Sequence, residues 1–295
     1  MAATCTVCLI AKNEEPYLLE WVAHYRLLGF DEIVVYENNS IDQSLTLLKA
    51  LAAAGKITCR PWSHGAREAP QITAYQDALA KARTDWMLFV DTDEFLVLHE
   101  DRNVREFLKR FDKTDVTAIG LNWRVFGDSH LKVAETDRLV TERFTWASKV
   151  EFPVNGHIKS FIRVSALDDL VSVHICRTTG RPVHASGKPL HMKNWGISDE
   201  IDFDVAQINH YYTKTYAEYE IKKQRGNATV DEKHKRKYTW YHDEAFHGHN
   251  RNDVQDVSIA KYHAGLVKEI ASLRKAMENP VPTFRERLLA RLTGR

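Results

Sequence analysis

The sequence predicts an α/β protein: a mostly parallel sheet flanked by helices, followed by a helical, basic C-terminal extension. Two observations carry that expectation. In the first third of the chain, apolar runs of strand length alternate with longer segments whose apolar residues recur at helical spacing. The joins between them are short and polar, as in a parallel sheet whose strands are linked by crossover helices. In order, TVCLIA is the first strand. Pro16 suits the first turn of the helix that follows; Leu18, Trp21, Val22, Tyr25 and Leu28 form its apolar stripe and Gly29 its stop. DEIVVYENN is the second strand. SIDQSLTLLKALAAAG is the second helix, starting near Ser40 or Asp42 and ending before Gly55. KITCRPW is the third strand, a third helix covers about 71–82, and WMLFV is the fourth strand, running into DTDEFLVL. Between about 116 and 190 come the β-like runs VTAIGLNWRVF, IKSFIRV and LVSVHICR. The turn-rich stretch 178–188, with Gly180, Pro182 and Gly187 and Pro189 just after it, reads as a surface loop or lid. TYAEYEIKKQRGNA reads as a helix ending at Gly226. The expected division is a main domain over 1–228 and an extension over 229–295.

Composition narrows the classes. Of 295 residues, 44% are hydrophobic and 27% charged, enough apolar content for a core and too much for a mainly disordered chain. Lys plus Arg number 41 and Asp plus Glu 40, so the net charge of +1 gives no drive toward nucleic acid. No apolar run approaches the roughly 18–20 residues of a membrane span. MAATCTVCLIAKNEE lacks the basic start and long apolar run of a signal peptide, so a cytoplasmic location is expected. Cys5 and Cys8, three apart on a strand, point to opposite faces and read as small buried hydrophobes rather than metal ligands. From Lys261 onward eight Lys and Arg face three Glu. Phe284, Leu288, Leu289 and Leu292 interleave there with Arg285, Arg287, Arg291 and Arg295. This tail is expected to be accessory to donor binding; its apolar stripe can pack on the main domain or a second subunit, or rest on the inner face of an anionic membrane.

In an open α/β sheet, ligands gather beyond the carboxyl ends of the strands, so the polar residues there carry the chemistry. Asp91-Thr92-Asp93-Glu94 follows WMLFV directly. Residues i and i+2 of extended chain share a face, and two carboxylates held together favour a cation between them. Hard oxygen ligands suit Mg²⁺ or Mn²⁺, which in turn suit a diphosphate. Ala11-Lys12-Asn13-Glu14 follows the first strand, and Glu37-Asn38-Asn39-Ser40 with Asp42 follows the second. In a parallel sheet these lie beside the acidic motif, where their amides, hydroxyls and carboxylates suit a base and ribose. Neither G-x-G-x-x-G nor G-x-x-x-x-G-K-[ST] is present, which argues against the usual dinucleotide and P-loop sites.

These residues carry a resemblance. LIAKNEEPYLLEWVAHYRLLGFDEIVVYENNSIDQS resembles the N-terminus of glycosyltransferases related to families 92 and 2, with a K-N-E before an E-W helix and a strand leading to N-x-S-x-D. QITAYQDALAKARTDWMLFVDTDEFL resembles the group's Q-x-x-A-Y segment and its D-x-D-E-F. NWRVFG, HIKSFIRV and INHYYTKTYAEYEIKKQRG resemble its later blocks, with Thr215 where the pattern more often has Ser. The likeness covers about 4–228. It implies a GT-A fold that binds a nucleotide sugar, UDP-linked by preference, and Mn²⁺ or Mg²⁺. It further implies transfer of the sugar to a hydroxyl of a glycan or glycolipid acceptor, in surface polysaccharide or glycolipid assembly. Carried over by motif, Asp91 and Asp93 hold the metal. Ala11, Lys12, Asn13, Glu14, Asn38, Ser40 and Asp42 line the nucleotide pocket with Thr92, and Gln71 and Tyr75 approach it from the preceding helix.

His210, in INHYYTK, is the candidate third metal ligand, with His174 its competitor; Lys159 and Lys214 are candidates to meet phosphate oxygens. NWGISDEIDFD, with Asp199, Glu200, Asp202 and Asp204, is the densest carboxylate cluster outside the metal motif, and Glu200 and Asp202 are the candidate general bases. HDEAFHGH at 242–249 lacks H-E-x-x-H spacing and reads as a polar loop, and the basic segment 222–237 as a solvated face. Two other classes remain open: a metal-dependent nucleotidyl or phosphoryl transferase, which needs a second acidic pair, and a nucleotide- or carbohydrate-binding protein with a degenerate site.

Overall fold

The computed structural model describes residues 3–63, 69–112, 114–172, 174, 176–194, 196–225 and 242–278. In chain order these form β1 (Cys5–Ala11), α1 (Glu15–Leu27), β2 (Glu32–Glu37), α2 (Ser44–Ala53), β3 (Thr58–Pro61), α3 (Pro70–Ala80), β4 (Trp86–Phe89) and β5 (Glu94–Leu98). There follow α4 (Val104–Lys109), β6 (Val116–Val125), α5 (Val140–Arg143), β7 (Trp146–Ala147), β8 (Ile158–Arg163), β9 (Leu167–Leu170), β10 (Cys176–Thr178) and β11 (Arg181–His184). The last are β12 (Met192–Asn194), β13 (Ile197–Ser198), β14 (Ala206–His210), α6 (Tyr216–Arg225), α7 (Asp243–His249), β15 (Val254–Gln255) and α8 (His263–Glu278).

The main sheet runs β3-β2-β1-β4-β8-β6-β14-β5, with β11 beside β6. Strands β3, β2, β1 and β4 are mutually parallel, as are β11 and β14 to β6, while β8 and β5 run the other way. The expected α/β architecture with a mostly parallel sheet is therefore the observed one. Every residue of β1 is buried, because helices cover both faces. Cys5, Val7 and Leu9 enter the larger core with α1, whereas Cys8 and Ile10 enter the smaller one under α3. The opposite-face expectation for the two cysteines holds. Gly29 ends α1 at φ +85°, a conformation that costs a residue with a Cβ.

Three parts of the sequence reading are corrected. Within 178–188, β11 pairs in parallel with β6, and Val183 and His184 are buried. Pro182 is tolerated because β11 has β6 as its partner on one side, so the missing N–H breaks no central ladder. The 242–249 stretch is helix α7, with the His242 side chain accepting a hydrogen bond from Ala245 N. The tail also begins as core rather than accessory surface. Ile259, Tyr262, Leu266 and Leu273 are buried with α1, and Glu269 pairs with Arg26 at 2.6 Å. No helix among the described residues is long and apolar enough to cross a membrane. The amphipathic stretch 284–295 lies outside the described residues.

Candidate functional site

Strand direction builds the site. Because β1, β2, β4, β6 and β14 point the same way, their carboxyl ends share one edge, joined there by the first residues of β5 and β8. That edge gathers Ala11, Asn38, Asp91, Asp93, Glu94, Lys159 and His210, which are scattered over 200 positions of sequence.

The loops after β1 and β2 are laced together. Asn38 N donates to Ala11 O at 2.8 Å. Asn13 N donates to Ser40 Oγ at 3.0 Å, and Asn13 Oδ1 accepts from Ile41 N at 2.7 Å. Asp42 accepts from Glu15 N at 3.2 Å and from Ser44 N at 2.9 Å, placing a negative charge at the start of both α1 and α2. Glu14 N donates to Ser44 Oγ at 2.9 Å, and Asn38 Nδ2 to Trp62 O at 2.9 Å. Asn13 sits at φ +53°, a left-handed conformation asparagine tolerates better than most residues. Much of the hydrogen-bonding capacity of Asn13, Ser40 and Asp42 is thus spent shaping the loops. Lys12 is half-buried at their rim.

The acidic motif is held by named partners. Asp91 Oδ1 accepts from Gln71 Nε2 at 2.8 Å, and Oδ2 from Lys159 Nζ at 2.9 Å. Gln71 also donates to Tyr75 OH at 3.0 Å, and Tyr75 stacks on Phe89 of β4, so α3 positions Asp91 through two side chains. The backbone is fixed as well: Asp91 N donates to Glu94 Oε2 at 2.7 Å, and Trp21 Nε1 donates to Asp91 O at 3.1 Å. Lys159 is buried; burial opposes its charge, but Asp91 and Glu94 hold the ammonium above its ordinary range. Glu94 is fully buried, and burial pushes its carboxyl up to about 8. Thr92 is buried between the two aspartates.

Asp93 faces the other way, toward α6 and β14. Its Oδ2 accepts from Lys222 Nζ at 2.6 Å, and Oδ1 lies 3.8 Å from His210 Nε2. Burial opposes the charge of Asp93, but the ammonium groups of Lys222 and Lys214 hold it well below the usual carboxylate range. Burial lowers His210 well below its ordinary value, so the ring is neutral at pH 7. Its face packs on Trp123 at 4.1 Å, with His157 stacked on the same indole. His174, the competing histidine, bonds Ile158 O through Nδ1. An ionised carboxylate and a neutral imidazole side by side are a donor set that a hard or borderline divalent ion accepts. Among the described residues, no three His, Cys, Asp or Glu side chains converge as a ready metal cage. Mg²⁺-type sites commonly complete their shell with water and substrate phosphate, so a two-residue anchor fits such an ion.

The candidate bases have partners of their own. Glu200 is exposed. Asp202 is buried, with Oδ2 accepting from Ser186 Oγ and Oδ1 from Asp204 N, while its own N–H donates to Asn122 Oδ1 at 3.0 Å. No hydrogen bond or ion pair joins Glu200 or Asp202 to Asp91 or Asp93.

A profile of glycosyltransferase family 92 matches residues 3–249, more than four-fifths of the chain. The chain belongs to glycosyltransferase family 92. The match runs some 20 residues past the motifs read from sequence, through α7. A family 92 protein of Ricinus communis is 28% identical over 131 residues, 43% of this chain and 23% of that protein. Another, from Oryza sativa subsp. japonica, is 26% identical over 115 residues, 37% of this chain and 19% of that protein. The family 92 chain thus spans under a quarter of the length of these curated relatives. Of solved structures, S. aureus TarS 1–349 in complex with UDP is 16% identical with a TM-score of 0.35, covering 55% of this chain and 47% of that one. Glucosyl-3-phosphoglycerate synthase from Mycobacterium tuberculosis, in complex with Mn²⁺, UDP and glucosyl-3-phosphoglycerate, is 19% identical with a TM-score of 0.29, covering 41% and 44%.

Several residues at this sheet edge escape sequence reasoning. Lys222 and Arg225 belong to the segment read as a solvated face, yet Lys222 grips Asp93, and Arg225 pairs with Glu14 and reaches Lys12 O at 3.4 Å. Their spacing from Glu218, four and seven residues, puts all three on one side of α6 and was the available signal. Trp21 and Tyr25, whose side chains bond the backbone of Asp91 and Glu94, read as plain core.

Proposed function

We propose that this chain transfers a sugar from a nucleotide-sugar donor, UDP-linked by preference, to an acceptor hydroxyl on a glycan or glycolipid, with Mn²⁺ or Mg²⁺ as cofactor. One observation carries the reading: in a family 92 chain, the ionised Asp93 and the neutral His210 lie at the sheet edge that also bears the interlaced Lys12–Glu14 and Asn38–Asp42 loops. Asp93 and His210 anchor the divalent ion, with Asp91 turned to the same edge. The Lys12–Glu14 and Asn38–Asp42 loops, with Thr92, receive the nucleoside. The bound ion supplies charge neutralisation for the diphosphate that leaves. Gln71 and Lys159 hold the Asp91 carboxylate in place, and the walls of Trp123 and Tyr212 around His210 keep water away from it. Glu200 and Asp202 remain the candidate bases for the acceptor proton.

The test is a panel of nucleotide sugars and nucleoside diphosphates, each with Mn²⁺ and with a chelator, read as a shift in melting temperature and as release of nucleoside diphosphate. A ligand that binds only the folded chain raises its stability by mass action. A UDP-sugar that stabilises the protein in Mn²⁺ alone is the expected result. Failure of every nucleotide in the panel to shift the melting temperature overturns the reading.

A further inference from the structure

Among the described residues, the largely buried cations at the site divide into those matched to a carboxylate and Lys214, which is not. Lys159 is matched to Asp91, Lys222 to Asp93, Arg225 to Glu14 and Arg143 to Glu218. Lys214 is only 5% exposed, and no carboxylate among the described residues lies within ion-pair distance of its ammonium. What its Nζ meets is the face of the Tyr17 ring, 4.4 Å from the centroid. A ring face compensates a buried ammonium poorly, and a buried charge ordinarily carries a full partner.

The backbone makes the arrangement more pointed. Lys214 sits at φ +50°, four residues beyond His210 and just ahead of α6. A long side chain with a Cβ is strained there, and such strain gathers at functional positions. Tyr17 lies in the first turn of α1, behind the Lys12–Glu14 loop, and on the other side the amine feels the charge of Asp93. Burial pulls the Lys214 amine down to about 8, which leaves it protonated at neutral pH. A compact ammonium placed between the nucleoside loop and the acidic motif suits phosphate oxygens as a point charge.

We infer that Lys214 receives the diphosphate of the donor, the ligand anion supplying the direct ion pair that no described carboxylate makes. The inference rests on the donor-binding reading above and adds the residue that recognises its phosphates. Lys159, the other lysine suited to this role by sequence, is tied to Asp91 at 2.9 Å and Glu94 at 3.3 Å and holds the motif instead.

The experiment uses the full chain in Mn²⁺ and measures affinity for UDP, inorganic pyrophosphate and, by competition, uridine. The variants are Lys214→Met, which keeps the length and removes the charge, and Lys214→Arg. Lys214→Met is expected to weaken UDP and pyrophosphate about 10- to 100-fold, as loss of a charge-assisted contact does, and to leave uridine unchanged. The unliganded melting temperature should stay level or rise, since a poorly compensated buried charge is removed. Lys214→Arg should restore part of the affinity. Unchanged UDP affinity in Lys214→Met overturns the inference while the donor-binding reading stands. A lowered melting temperature with equal losses for uridine and UDP also overturns it, by making Lys214 a structural partner of Tyr17. A wild-type chain that binds neither UDP, GDP nor pyrophosphate overturns both.

Discussion

Asp91 and Asp93 stand two residues apart, yet they do different work. Asp91 is drawn to α3 and β8 by Gln71 and Lys159, while Asp93 is drawn to α6 and β14 by Lys222 and His210. On the proposed reading the metal role falls more heavily on Asp93, which has His210 beside it. Asp93→Asn keeps the volume but removes the anionic oxygen beside His210. UDP affinity in Mn²⁺ should fall to the level seen with a chelator, with the circular dichroism spectrum unchanged. Titration calorimetry with and without Mn²⁺ measures this, and a variant that keeps its Mn²⁺-dependent affinity removes Asp93 from the metal site. The pair was legible in sequence because both carboxylates follow one buried strand. Their separate holders were not, because Lys159 and Lys222 come from strands and helices far along the chain, and no local pattern marks a lysine as turned inward.

Helix α6 explains how those distant residues arrive together. Glu218, Lys222 and Arg225 occupy one side of it, and each meets a different part of the site. Glu218 accepts from Arg143 Nη1 at 3.0 Å, Arg143 Nη2 at 2.9 Å, Tyr17 OH at 3.0 Å and Thr215 Oγ1 at 2.7 Å. The Arg143–Glu218 pair has side chains only 1% exposed. Breaking a buried pair from one side leaves an uncompensated charge, so Glu218→Ala should cost about 3–5 kcal/mol. It should also weaken UDP binding through displacement of Lys222; urea unfolding and calorimetry report the two effects separately. Burial opposes the charge of Glu218, but Arg143 and Thr215 hold it below its ordinary value. The stability it contributes is therefore full above the unfolded carboxylate value, about 4.3, and is lost as pH falls through the folded one. Elements were legible where periodicity was clean, as in β1, α1, β2 and β4. They were obscured where turn residues broke a strand, as Pro182 does in β11, or where polar residues filled a short helix, as in α7.

At the scale of the whole molecule, α1 links two layers, packed on the sheet on one side and on α8 on the other. Ending the chain before Ser258 would remove Ile259, Tyr262, Leu266 and Leu273 from the shared core, and the remainder should lose its cooperative unfolding transition. A sharp thermal transition in that truncated chain would return α8 to the accessory role its charge suggested. At the centre of this packing lies His24, fully buried among Tyr25, Phe95 and Tyr262, with Nε2 bonded to Leu96 O at 2.8 Å. Burial lowers its folded value to about 4, while an unfolded histidine titrates near 6.5. Between those values the unfolded chain takes up the proton and the folded chain does not. The His24 contribution is thus complete above about pH 6.5 and drains away as pH falls toward 4, a loss on the order of 3 kcal/mol. His174 and His210 are lowered by burial too and add slopes of the same sign, so total stability alone does not isolate His24. The difference between wild type and His24→Gln does, because glutamine keeps a donor for Leu96 O and does not titrate. Urea unfolding of both chains at pH 7.5, 6 and 4.5 should show the wild type losing more stability than the variant at each step down. Parallel losses in the two chains would mean that His24 is protonated in the fold as readily as out of it.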